Sequence, residues 1–128
     1  MSASPLTKRL HLKPGMRMAL VGAPPGYLKL LDPLPEGVRV STSLRGKSEV
    51  VQAFVRTGAE LRLRVPALKK ALAPGGYIWI CYPKLTSASA GDLSRDVIWK
   101  ALVPHGLQPV AQVAIDETWT GMRFKVIR

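Results

Sequence analysis

The chain has 128 residues, of which 47% are hydrophobic and 21% charged, proportions that fit one globular domain and exclude disordered and fibrous classes. Nineteen Lys and Arg against eight Asp and Glu give a formal charge of +11, enough to attract polyanions without selecting among them. No apolar run reaches the roughly 18 residues of a membrane span, and the opening MSASPLTKRLHLK holds no segment resembling a signal peptide, so the expectation is a cytoplasmic protein.

Residues 1–12 are polar, basic and broken by Pro5, and read as a flexible basic arm; residues 13–128 read as a single domain. After the Pro14-Gly15 turn, RMALVG at 17–22 is the first strand. Gly22-Ala-Pro-Pro-Gly26 ends it, and Tyr27 to Leu31 provide about two helical turns before Asp32-Pro33. Val38 to Ser41 is a second strand, and Glu49 to Val55, rich in β-branched residues, is a third. Thr57-Gly-Ala-Glu60 has capping-box spacing, and Leu61, Val65, Leu68 and Leu72 continue one apolar stripe through Pro66, which predicts a single kinked helix.

Ala73-Pro-Gly-Gly76 should stop that helix, and Tyr77 to Tyr82, apolar almost throughout, has the composition of a strand covered on both faces. Cys81 lies within this run, where a small buried hydrophobe is the expected role, since no neighbour in sequence supplies the base that a nucleophile needs. A loop at 83–91 leads to Asp92, read as the cap of a helix carrying Leu93, Val97, Ala101 and Leu102 and ending near Gly106. Pro109 to Ile115 is a fifth strand. Met122, Phe124 and Val126 alternate with Arg123 and Lys125 in a sixth, joined to the fifth as an antiparallel hairpin. The alternation of strand and helix implies a three-layer, Rossmann-like α/β fold: an open, mostly parallel sheet of about six strands with a C-terminal antiparallel hairpin. Thr42 to Ser48 is shorter than the dozen or so residues that a parallel crossover usually takes, which leaves the place and direction of strand two open.

The first-strand turn departs from a working dinucleotide site. Pro24 and Pro25 have no amide hydrogen where a pyrophosphate would need donors, and Val38 to Thr42 lack the carboxylate that holds a ribose. Glu36 precedes the second strand and falls at the other end of the sheet.

The segment LAPGGYIWICYPK at 72–84 resembles the late strand of class I methyltransferases. The resemblance implies their fold, shortened by one strand and its helix, with spatial strand order second, first, third, fourth, sixth, fifth. In that family a glycine-rich first loop and an acid after the second strand hold adenosylmethionine. LKPGMRMALVGAPPGY at 12–27, FVRTGAEL at 54–61, DLSRDV at 92–97 and AIDETWTGMRF at 114–124 also resemble a small uncharacterised bacterial family, a domain of unknown function with a truncated, degenerate methyltransferase-like fold. That likeness supplies no catalytic residues.

The candidate ligand cleft lies at the carboxyl ends of strands one, three and four and comprises Gly26, Arg56, Tyr82, Lys84 and Ser87, where the Asp92 helix start would add amides for an anion. Asp116 and Trp119 offer either a carboxylate with an aromatic platform or an ordinary packed turn. His11 and His105 have no metal-ligand spacing, so no metal, catalytic residue or cofactor is assigned. The first expectation is therefore a non-catalytic binding or regulatory module for a small anionic ligand or a protein partner. A basic nucleic-acid-associated protein and an atypical methyltransferase-like enzyme are the alternatives.

Overall fold

The structure, a computed structural model, describes residues 5–84 and 92–127. Six strands form one sheet: β1 (Arg17–Val21), β2 (Arg39–Ser41), β3 (Ser48–Phe54), β4 (Leu72–Pro83), β5 (Leu107–Ala114) and β6 (Trp119–Val126), in the order β2-β1-β3-β4-β6-β5. β1 to β4 run parallel, while β6 is antiparallel to both β4 and β5. The expected fold class and strand order are both observed.

The short passage from β2 to β3 works because β2 is only three residues long. Ser41 lies level with Ala19 and hence with Val51, so the chain retreats only three residues to start β3 at Ser48. Seven Cα steps reach about 25 Å, whereas the offset is roughly 10 Å along the strands and 10 Å across β1. Leu44 packs on the core on the way, and β2 remains parallel.

Two apolar layers sandwich the sheet. On one face, Val51, Ala53, Ile78 and Ile80 meet Leu61, Val65 and Leu68 of a helix at Gly58–Lys70 and Ile98 and Leu102 of a helix at Arg95–Leu102. On the other face, Met18, Leu20, Val50, Phe54 and Trp79 meet Leu6 from Pro5–Arg9, Leu10 and Leu12 just beyond it, and Tyr27 from Tyr27–Leu30. In chain order the helices are α1 (Pro5–Arg9), α2 (Tyr27–Leu30), α3 (Gly58–Lys70) and α4 (Arg95–Leu102). In place of a loose arm, residues 5–12 are packed: Leu10 is fully buried, and its carbonyl accepts a hydrogen bond from Trp79 Nε1 at 3.0 Å. Their anchor is the apolar sheet face, which the single turn of α2 is too short to cover alone.

α3 starts at the expected N-cap, with Thr57 Oγ1 accepting from the Glu60 amide, while Glu60 Oε1 reaches back one residue further than a capping box does and accepts from the Arg56 amide. Pro66 lies inside this one helix. The Pro-Gly-Gly segment does not end it: the helix stops at Lys70 with Ala71 as its C-cap, and Leu72, expected on its apolar stripe, belongs to the next strand. β4 already begins at Leu72, and 73–76 form an irregularity between the pairs Ser48–Leu72 and Val50–Tyr77. Gly76 is required there because a β-carbon would run into the Glu49 carbonyl. Asp92 does not cap α4; Ser94 does, its Oγ accepting from the Val97 amide. The Asp92 carboxylate instead accepts from the Gly58 amide at 2.9 Å and ties the α4 approach to the start of α3.

Candidate functional site

At the carboxyl end of β1 the backbone turns at Gly22, with φ +70°, and a β-carbon at this position would stand 2.8 Å from the Phe54 carbonyl oxygen. Only glycine lets the turn approach β3 this closely. Ala23, Pro24, Pro25 and Gly26 then lead into α2. Between this turn and the end of β2 lies a hollow of about 530 Å³, lined by Gly22, Ala23, Pro24, Gly26, Lys29 and Thr42 among others, with no carboxylate among its described residues.

Tyr27 forms part of the floor. Its hydroxyl donates to Gln52 Oε1 at 3.0 Å, and Gln52 Nε2 donates to Cys81 Sγ at 3.2 Å, all three side chains being buried. Burial drives the Tyr27 hydroxyl well above its ordinary range and pushes the Cys81 thiol up to about 12, so both stay protonated at neutral pH. An aromatic column extends from here. The Tyr27 and Phe54 rings meet edge-on at 4.7 Å, Phe54 and Trp119 at 5.0 Å, and the Arg56 guanidinium lies 5.0 Å from the Trp119 ring centroid.

The five cleft residues expected from the sequence do not share one lining. Gly26 borders the hollow and Arg56, exposed, ends the aromatic column. Tyr82 points to the opposite face of the sheet, buried with the α3 and α4 side chains, where its hydroxyl accepts from Gln112 Nε2 at 3.3 Å. The Lys84 amide donates to Thr118 O at 2.8 Å, which fixes its backbone to the β5–β6 hairpin. Ser87 lies outside the described residues. The Asp92 helix start is not available to an anion, because Ser94 caps α4 and Asp92 is engaged with Gly58.

Asp116 and Trp119 form a packed turn. Asp116 Oδ1 accepts from the Thr118 and Trp119 amides at 2.8 Å each, and Trp119 is 3% exposed. Burial and the nearby Arg123 and Lys13 hold His11 below the usual histidine range. Exposed cations are divided between the sheet faces, with Lys8 and Arg9 on α1 and Arg62 and Lys70 on α3. Glu36 lines a separate hollow with Lys8 and His11, away from the first turn.

Lys29 and Thr42 belong to the hollow and were not singled out from sequence. Thr42 directly follows β2, the position at which methyltransferases resembling this fold carry a ribose-binding acid, so its place is legible in the sequence.

No protein-family model matches the chain, and no curated protein sequence matches it. Solved structures do. The ribosomal protein L11 methylase from Lactobacillus delbrueckii subsp. bulgaricus superposes with a TM-score of 0.63 at 17% identity, covering 96% of this chain and 76% of that one. The N-methyltransferase NodS from Bradyrhizobium japonicum gives 0.61 at 16%, covering 96% and 94%. A SAM-dependent methyltransferase from Aquifex aeolicus gives 0.63 at 16%, covering 93% and 86%. The chain has a methyltransferase-like Rossmann fold. At these identities the likeness concerns the fold alone.

Adenosylmethionine is the group this fold implies, and the first turn does not fit it. The close approach at Gly22 is retained, but Pro24 and Pro25 lack amides and the residue beyond β2 is Thr42 in place of a carboxylate. No helix among the described residues is long and apolar enough to cross a membrane.

Proposed function

We propose that this chain is a binding domain built on the methyltransferase fold, holding a small anionic ligand at the carboxyl ends of β1 and β2 without transferring a methyl group. The observation that carries this reading is the lining of the hollow, with Lys29 as its cation, Thr42 as its hydroxyl and no carboxylate among the described residues. A ribose diol is poorly served by such a set, whereas an anion meets a favourable charge and a hydroxyl donor. Arg56, at the far end of the aromatic column, adds a second cation beside the same sheet end.

One observation favours a second reading, an atypical methyltransferase. The chain covers 94% of NodS and keeps the glycine approach at Gly22, so a cofactor held through other groups is compatible with the fold. Calorimetry separates the two. The binding-domain reading expects no heat with adenosylmethionine or adenosylhomocysteine and saturable binding of one member of a panel of phosphorylated nucleosides and sugars. Lys29→Ala should weaken that binding about tenfold while leaving the melting temperature unchanged, since Lys29 is exposed. Low-micromolar binding of adenosylmethionine would overturn this reading in favour of the second.

A further inference from the structure

Among the described residues, four of the eight large exposed apolar side chains meet in one place. Trp99, Val103, Val110 and Ile127 are 51, 44, 39 and 52% exposed, and all four line one groove of about 630 Å³ between α4 and β5. Trp99 and Val103, one turn apart, also wall an adjoining hollow of about 510 Å³ together with Asp96, Lys100 and Pro104. α4 already buries Ile98 and Leu102 against the sheet, so Trp99 and Val103 make a second apolar stripe directed outward. A contiguous patch of this kind marks a contact surface.

Charge selects the occupant. At +11 the chain as a whole repels a copy of itself, and a polyanion would be drawn to its cationic faces. The groove is different. Its lining holds one cation, Arg95, and one anion, Asp96, and the adjoining hollow adds only Lys100, so two copies meeting here bring few like charges together. Asp96 and Lys100 also lie one turn apart on either side of Trp99. Two α4 helices packed antiparallel about a two-fold axis would set Asp96 of each copy beside Lys100 of the other, with both Trp99 rings near the axis. Pro109 and the irregular register between Pro109 and Ala111 make the β5 edge unsuited to adding a strand, so the contact is one of helix faces and groove side chains.

We propose that the chain forms a symmetric homodimer through α4, each Trp99 seated in the groove of the other copy. The test is sedimentation velocity of the full chain over about 1 to 500 µM, in about 0.3 M NaCl to screen long-range repulsion. The weight-average mass should rise toward twice the monomer mass. Tryptophan emission should shift to the blue in parallel, a signal that reports Trp99 because Trp79 and Trp119 are 0% and 3% exposed. Trp99→Glu should remain monomeric with an unchanged melting temperature, and Val103→Asp should do the same, so the test does not depend on one variant folding. Asp96→Lys should weaken association at least tenfold, and adding Lys100→Asp should restore it. A wild-type chain that stays monomeric throughout, folded Trp99 and Val103 variants that still dimerise, or a double exchange that fails to recover association would each overturn the proposal.

Discussion

Removing the Tyr27 hydroxyl tests whether the buried chain Tyr27–Gln52–Cys81 is a unit. Tyr27 is 2% exposed and Gln52 is fully buried, so Tyr27→Phe leaves Gln52 Oε1 without its 3.0 Å donor and without water to replace it. An unsatisfied buried acceptor costs about 1–3 kcal/mol. Scaling the usual unfolding entropy per residue to 128 residues gives about 0.27 kcal/mol per degree, so the melting temperature should fall by roughly 4–11 °C. Gln52→Met, of similar length and flexibility, strands the Tyr27 hydroxyl and should cost a similar amount. The double variant removes donor and acceptor together, leaving only the weak sulfur acceptor of Cys81, and should be less destabilised than either single variant. Calorimetric melting with urea titration of the four proteins completes the cycle. Additive losses, or a Tyr27→Phe melting temperature within a degree of the parent, would refute the claim that these groups satisfy one another.

Gly22→Ala should lower stability by about 1–3 kcal/mol, because alanine is strained at φ +70° and its β-carbon would stand 2.8 Å from the Phe54 carbonyl oxygen; chemical denaturation would measure it. The Arg17 guanidinium 2.6 Å from Glu49, with the Arg17 amide at 2.8 Å, lowers the Glu49 carboxyl from 4.5 to about 2. Because the folded value is the lower one, this contribution is present above pH 4.5 and is lost as pH falls from there through about 2; melting temperatures of Glu49→Gln should show a shallower fall across that window. Cys81 is fully buried, so a thiol reagent at pH 8 should modify the native chain only at the rate of unfolding and the denatured chain at once, as mass spectrometry would resolve.

The sequence by itself determined the elements whose signals are local. The β-branched run at Ser48–Phe54 and the apolar run ending at Pro83 are strands because their composition fits a sheet covered on both faces, and α3 begins where the Thr57 side chain can bond the Glu60 amide of its first turn. The missing amides at Pro24 and Pro25 and the absence of an acid after β2 were equally legible, since they follow from residue type alone. What depended on distant partners was not. Leu6 and Leu10 belong to a polar, basic stretch, and only the uncovered sheet face around Trp79 gives them a burial site. Asp92 has the composition of a helix cap, yet the Gly58 amide 34 residues away claims its carboxylate. Tyr82 and Cys81 are neighbours in sequence but point to opposite faces of β4, which removes Tyr82 from the hollow and places Cys81 beneath it. Lys29 and Thr42 come together only because three-residue β2 pairs with β1, a register set by long-range packing and invisible to any local pattern.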